Sequence, residues 1–386
     1  MKQRFECIQN CVLIFKKIFS KYCKLLNFYL TLYGEFYFNL KTKFSIEMDH
    51  KCRLYGNFKG VSKEGSKDHC TILNLPDNSG SVVISGSSSE NHSILLYSNG
   101  SSASLGLNDK CQLGIGTTKN STEFLPVRTD IKFKSVACGE DFTLWISEDN
   151  QLYVCGLQKN TIPTIFNNLK AIQCSSYKKT AAIITENKTV ILWSDFHDDS
   201  TQKEYNLPFP AQDISCGNDF VSVLLENQIL VRVFSNGTIE PLLIESTTAK
   251  IPDRFVRMSS SENYTVAIDF GKNVWLFGNV GRYGSKPDSL PIYTNAINVF
   301  ALPKSIVVIH SNFAAFSLGE NQFGQFANGE TKPSYMFTQA KLSFPVMTVV
   351  GNEKMQLYIP RPLTRSFTEF EQSQFIPGFH KYLPNS

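Results

Sequence analysis

His197, Asp198 and Asp199 are consecutive in the chain, and an imidazole beside two carboxylates is a donor set that can hold a metal ion. A metal site also needs a ligand group from a second segment. None lies nearby in the sequence, and the run sits in a polar stretch, so it reads as a solvated loop with no metal expected. The other histidines are isolated. The ten cysteines include no Cys-x-x-Cys pair, and Cys138, Cys155, Cys174 and Cys216 lie among apolar residues, as reduced core thiols do. Gly278 to Lys286 has glycines and a lysine, but not in the order that cradles phosphate. The serines at 87–89 lack the Gly-x-Ser-x-Gly elbow and read as a turn. Carboxylates are spread through turns without an acid–base pair. The chain is therefore expected to have no catalytic residue and no cofactor, which leaves recognition as its chemistry.

The elements that must position recognition residues are short strands. From Gly106 to Gly156 a glycine-rich turn, Pro126, an apolar run ending Ala137-Cys138-Gly139, an alternating stretch, the turn Glu148-Asp149-Asn150 and a last strand follow one another. Apolar runs bounded by Gly, Asn and Asp turns mark a small antiparallel sheet. One such sheet cannot bury both of its faces, so the unit has to recur.

It does recur. Taking Gly139-Glu-Asp-Phe-Thr-Leu-Trp-Ile as template finds anchors near Ser89, Ser176, Gly217, Ser261, Ala301 and Gly351, giving intervals of 50, 37, 41, 44, 40 and 50 residues. About ten to twelve residues after six of the anchors comes a tight-turn signal at Asn99, Asn150, Asn187, Asn227, Gly271–Asn273 and Asn312, where Asn and Gly accept positive φ. At 17 or 18 residues the same six show a small residue closing a strand: Gly106, Gly156, Ser194, Ser235, Gly278 and Gly319. Three coincident periods predict an all-β fold, a seven-bladed β-propeller. The seventh unit lacks its outer strands after Ile359, and Cys52-Arg-Leu-Tyr-Gly56 echoes Gln151-Leu-Tyr-Val-Cys-Gly156. N- and C-terminal strands are therefore expected to share the last blade.

Gly106-Leu-Asn-Asp-Lys-Cys-Gln-Leu-Gly114-Ile-Gly116, a proline, and Val136-Ala-Cys-Gly139 together resemble the repeat of the regulator of chromosome condensation family. Gly319-Glu-Asn321-Gln-Phe-Gly324-Gln325 is a second copy and Gly278 to Gly284 a partial one, within a resemblance covering residues 50–360. Gly217 and Gly156 complete the set of repeat glycines. WD-repeat and kelch signatures are absent. The resemblance implies a seven-bladed propeller, in agreement with the anchors. It also implies a founding activity, nucleotide exchange on the small GTPase Ran, which works by differential affinity and not by bond making. It places polar anchor-loop residues on the partner-facing side. Carried over, these are Asn91, His92, Glu140, Asp141, Asn218, Asp219, Glu262 and Asn263, with solvated turns as the alternative use.

The chain departs from that pattern. The family commonly has a His at the Phe142 position. Here only His92 keeps it, with Phe142, Lys179, Phe220, Tyr264, Lys304 and Lys354 read at the others. The short intervals after Gly139 and Ser176 leave no room for the exchange factor's inserted hairpin wedge. The favoured expectation is a non-catalytic, monomeric propeller that binds a protein partner through anchor loops on one face. The alternative is a guanine nucleotide exchange factor for a Ran-like or other small GTPase.

Charge limits the other partners. The net charge is +4, and residues 1–47 alone carry eight Lys/Arg against three Glu, so the body is near neutral and chromatin is a weak expectation. The 1–47 segment has lysines interrupting its apolar stretches, which fits neither a signal peptide nor a spanning helix and leaves membrane-surface contact as a weak expectation. Met48 is an alternative start. The propeller is placed at 48–360, and a proline- and aromatic-rich tail at 361–386. Reduced cysteines point to the cytoplasm or nucleus, against which six Asn-x-Ser/Thr matches weigh little in so Asn- and Ser-rich a chain.

Overall fold

The computed structural model describes residues 51–58, 70–76, 81–242, 254–281, 283–284 and 291–361. Of the two units into which the chain divides, Asp49–Lys341 with Val346–Ser386 holds the strands. The other, Met1–Met48 with Leu342–Pro345, lies outside the described residues except for its last four. The expected N-terminal extension and the 361–386 tail also lie outside them, but for Arg361.

Among the described residues the strands form seven blades, each meandering outward from an innermost first strand. Blade 1 comprises Val83–Ser88, His92–Tyr97, Ser102–Gly106 and Ser121–Pro126. Blade 2 begins with Phe133–Cys138, Phe142–Ser147 and Gln151–Gly156. The long strand Asn160–Tyr177 is both the outer strand of blade 2 and the inner strand of blade 3. It turns at Asn167 and Asn168, whose φ values of 48° and 51° are left-handed. Blade 3 continues through Thr180–Thr185, Val190–Trp193 and Gln202–Tyr205. Blade 4 is Ala211–Cys216, Phe220–Leu225, Leu230–Phe234 and Ile239–Pro241; blade 5 is Phe255–Ser261, Tyr264–Asp269 and Val274–Phe277. Blade 6 is Ala296–Leu302, Ser305–His310, Ala315–Gly319 and Ser334–Gln339.

Blade 7 closes the ring as the sequence predicts. Val346–Gly351 and Met355–Pro360 come from the C-terminal side, Lys51–Gly56 and Cys70–Asn74 from the N-terminal side. The join is antiparallel, with Leu54 opposite Leu357 and Gly56 opposite Met355. A ring closed this way stabilises against opening, because first and last strands separate only by breaking a buried ladder.

The second strands are the most buried. His92–Tyr97, Phe142–Ser147, Phe220–Leu225 and Tyr264–Asp269 are buried at every residue. A blade sheet is covered on both faces by its neighbours, so its strands read as near-continuous apolar runs. Core clusters accordingly span blade boundaries: Ala182, Ile184 and Leu192 of blade 3 pack on Ile214, Val221 and Val233 of blade 4. Fully burying each such aliphatic side chain contributes about 1.5–3 kcal/mol.

The tight turns between second and third strands occur where Asn and Gly predict them, but the left-handed residue is mostly the next one. Only Asn150 itself has positive φ, at 69°; elsewhere it is Gly100, Lys188, Gln228, Lys272 and Phe313. Asn99, Asn227 and Asn312 instead accept, through Oδ1, from the backbone N–H two residues on, at 3.0, 3.2 and 3.0 Å. Their contribution is an Asx turn, not backbone freedom.

Candidate functional site

The turns joining first to second strands, here the inner turns, ring the mouth of the central channel on one face. They close on equivalent bonds, Ser89 N–H to His92 O, Gly139 N–H to Phe142 O, Gly217 N–H to Phe220 O and Asn352 N–H to Met355 O. In blades 3, 5 and 6 the equivalent pairs are Tyr177–Thr180, Ser261–Tyr264 and Leu302–Ser305. The anchors read at 176, 301 and 351 therefore sit one residue early. The residues at the family's His position become Thr180, Ser305 and Met355 in place of Lys179, Lys304 and Lys354. Every member of the corrected set is buried. This position faces the neighbouring blade and not solvent.

His92 is the sharpest case. Its side chain is 0% exposed, so it offers nothing to a partner. Nδ1 lies 2.9 Å from Ser89 Oγ and Nε2 lies 2.8 Å from Thr143 Oγ1 of blade 2. Burial pushes its pKa down to about 3, so the ring is neutral. Tyr264 occupies the same place in blade 5, and its hydroxyl lies 2.5 Å from Leu302 O and 2.6 Å from Ser305 O of blade 6. Phe142 and Phe220 fold over Gly139 and Gly217, where a Cβ would lie 2.2 and 2.1 Å from the ring Cζ. A glycine at the turn is what lets an aromatic ring lie across it.

The other expected partner residues lie on the turn crowns. Glu140, Asn218, Asp219 and Asn263 are exposed; Asn91, Asp141 and Glu262 are partly so. Their backbones are held by neighbouring blades. Glu140 N–H donates to Lys178 O at 2.8 Å, Asn218 N–H to Glu262 O at 2.7 Å, and Asn91 Nδ2 to Glu140 O at 3.4 Å. Asp219 accepts from Ser235 Oγ at 2.5 Å.

Tertiary structure also gives His197 the second group that the sequence lacked. Its Nε2 lies 2.8 Å from Asp141 Oδ1 and its Nδ1 2.7 Å from Asp195 Oδ1, with Lys179 Nζ 3.6 Å from Asp195. Asp198 instead caps the short 3-10 turn Asp199–Thr201 through Ser200 N–H. Among the described residues no group of three His, Cys, Asp or Glu is placed to hold a metal ion. Burial pushes the thiols of Cys138, Cys174 and Cys216 up to about 12, so they are protonated.

The repeat glycines and their polar companions are structural. At Gly156, with φ of 101°, a Cβ would lie 2.3 Å from Asp141 O; Gly56, Gly106, Gly278 and Gly319 make the same approach in their blades. Asn108 and Gln112, between Gly106 and Gly116, clamp their loop. Asn108 Nδ2 donates to Thr117 O at 2.6 Å and its Oδ1 accepts from Leu113 N–H at 2.9 Å, while Gln112 Oε1 accepts from Lys110 N–H. Asn321 and Gln325 repeat the arrangement, with Phe326 N–H on Asn321 Oδ1 at 2.9 Å and Phe323 N–H on Gln325 Oε1 at 3.1 Å. The loop glycines Gly114, Gly116 and Gly324 have left-handed φ values of 68°, 78° and 71°.

Two arcs of polar contacts join neighbouring first strands, and the sequence reading missed both. In the first, a serine two residues before an inner turn accepts from the next blade's first strand: Ser87 from Cys138 N–H, Ser175 from Cys216 N–H, Ser215 from Ser260 N–H and Ser259 from Ala301 N–H, at 2.8–2.9 Å. Blade 2 has Ala137 there, and Ser135, two residues earlier, takes Cys174 N–H at 3.3 Å instead. In the second, Gln173 donates to Asp213, Arg257 lies beside Asp213, and Arg257 donates to Asn298 at 3.1 Å. Serines two residues before the inner turns of blades 1, 3, 4 and 5, at Ser87, Ser175, Ser215 and Ser259, were the signal available.

These features define a closed, seven-bladed propeller with rigidly presented inner turns. Residues 104–146 match the family described as Regulator of chromosome condensation (RCC1) repeat. No curated protein matches the chain by sequence. Among solved structures the chain is similar to human WBSCR16 at 11% identity and TM-score 0.67, covering 82% of this chain and 100% of that one. It is also similar to Prp20p from Saccharomyces cerevisiae at 14% identity and TM-score 0.64, covering 84% and 93%. Yeast RCC1 (Prp20) in its complex with Kap60 matches at 12% identity and TM-score 0.65, covering 88% and 98%. The fold is that of an RCC1-like propeller.

Proposed function

We propose that this chain is a non-catalytic propeller that receives a protein partner on its inner-turn face. The observation that carries this reading is the cross-blade bonding of the turn backbones beneath exposed polar side chains, Glu140 N–H to Lys178 O and Asn218 N–H to Glu262 O. A crown fixed before contact loses little entropy on binding, which favours recognition. Support by analogy comes from Prp20p, whose structure is described with its binding properties to Gsp1p and histones, and from its complex with Kap60. The buried, protonated thiols are consistent with a reducing compartment, cytoplasm or nucleus.

The test is site-specific photo-crosslinking in extract of the native cell. A photoreactive residue at Asn218 or Asn263 should yield a discrete adduct, whereas one at Asn99 or Asn187, on turns of the opposite face, should not. Adducts confined to the opposite face would sink the reading. Exchange activity, the alternative, is tested by release of a fluorescent guanine nucleotide from a Ran-type GTPase. Acceleration by the full chain would replace simple binding with exchange.

A further inference from the structure

The chain contains three Asn-Gly pairs, Asn99–Gly100, Asn236–Gly237 and Asn328–Gly329. An asparagine before glycine is well suited to cyclise, because no Cβ on the next residue blocks the approach of its backbone nitrogen to the side-chain amide. Two of the pairs are matched. Both stand in the run Ser-Asn-Gly, and both form the same turn. Gly100 N–H donates to Tyr97 O at 2.9 Å and Gly237 N–H to Phe234 O at 3.0 Å. Asn99 Oδ1 accepts from Ser101 N–H at 3.0 Å and Asn236 Oδ1 from Thr238 N–H at 2.8 Å. The local chemistry is equal, and the surroundings differ.

At Asn99 the turn joins two interior strands, His92–Tyr97 and Ser102–Gly106, each buried at every residue. Gly100 is itself buried. A Cβ there would lie 2.8 Å from Lys132 Cβ, and Gly100 O accepts from Phe133 N–H of blade 2 at 2.8 Å. Asn328 is 3% exposed and belongs to the loop clamp, accepting from Asn321 Nδ2 at 3.2 Å. At Asn236 the turn instead leads into the outer strand of blade 4, Ile239–Pro241, which has three residues, all exposed. Asn236, Gly237 and Thr238 are exposed too, and a Cβ on Gly237 would meet nothing within 4 Å. The limb before the turn is held, with Lys203 Nζ donating to Ser235 O at 2.6 Å and Tyr205 Oη to Phe234 O at 3.1 Å. The limb that carries the Gly237 nitrogen therefore lifts away at the cost of a short exposed ladder, without opening a core.

We infer that Asn236 is a deamidation site of the folded protein and that Asn99 and Asn328 are not. In the opened turn the Gly237 nitrogen bonds to Asn236 Cγ. The Cγ–Nδ2 bond breaks, and ammonia leaves with the proton of the attacking nitrogen, giving a cyclic imide. Water then adds to either imide carbonyl, and the ring opens to an aspartyl or an isoaspartyl linkage. Water is the only co-reactant. Either product places a new carboxylate on the inner-turn face, where Ser235 already bonds the crown residue Asp219 through its N–H and its Oγ. The isoaspartyl form also lengthens the backbone by one carbon, which breaks the Asx turn onto Thr238.

The test ages the full chain in mildly alkaline buffer and follows each pair by peptide mapping, where conversion adds about 1 Da and yields two isobaric products. Position 236 should convert roughly tenfold or more faster than positions 99 and 328. In urea positions 99 and 236 should convert at similar rates, since their local sequence is the same. Ion exchange should resolve an acidic species from the aged chain, and Asn236→Gln should remove it. Equal or faster conversion at 99 in the folded chain, or conversion at 236 only in urea, would each overturn the inference. A preference for 236 that persists unchanged in urea would overturn it as well, because the fold would then not be its cause. None of these outcomes depends on a partner.

Discussion

His92 Nε2 and Thr143 Oγ1 lie 2.8 Å apart, and this contact fastens blade 1 to blade 2 inside the fold. Thr143 Oγ1 in turn donates to Gln112 O at 2.8 Å, so the glycine-rich loop, the ring nitrogen and the second strand of blade 2 form one chain. The residue that the family pattern marks as a contact is a blade fastener here.

Burial lowers the His92 pKa from 6.5 to about 3. Below pH 6.5 the unfolded chain gains a proton that the folded chain refuses until about pH 3. Stability is therefore full above 6.5 and falls with pH, by about 1.4 kcal/mol per unit. Denaturant titrations at about pH 7.5 and pH 5 should show this loss, and His92→Gln should flatten its His92 component. A slope unchanged in the variant would contradict the assignment.

Tyr264→Phe should cost about 1–3 kcal/mol, because Leu302 O and Ser305 O lose their common donor in a buried place. The readout is the urea midpoint at unchanged slope.

Gly156→Ala and Gly237→Ala make a matched pair. Both glycines have left-handed φ, 101° and 99°, but a Cβ on Gly156 would meet Asp141 O at 2.3 Å whereas one on Gly237 meets nothing within 4 Å. Gly237→Ala should cost about 1 kcal/mol from backbone conformation alone, and Gly156→Ala clearly more. Equal melting temperatures would argue against the close approach.

Ser215→Ala removes the acceptor of Ser260 N–H between blades 4 and 5. A loss of about 1 kcal/mol is expected. Hydrogen exchange should report it locally, with faster exchange at the Ser260 amide and little change in blades 1 and 7.

Arg257→Leu leaves Asp213 buried without its cation. Asp213 already has a raised pKa, from burial opposed by Gln173 and Arg257. The single change should cost about 3–5 kcal/mol, and adding Asp213→Asn should recover part of it. No recovery in the double variant would show that the two do not act as a pair.

The recurring spacing of turns, the closing glycines and the echo of Gly156 in Gly56 were enough to read the blades and the closure of blade 7 from the sequence. These are local requirements, since a Cβ at Gly156 or Gly56 would strike the carbonyl of an inner turn whatever else the chain does. Tertiary structure alone decided the register of the inner turns in blades 3, 6 and 7, which moved three positions from Lys to Thr180, Ser305 and Met355. It alone buried His92, brought Asp141 to His197 across 56 residues and aligned the channel hydroxyls. Such placements depend on how one blade packs against the next, and neighbouring-blade contacts leave no trace in the spacing within a blade.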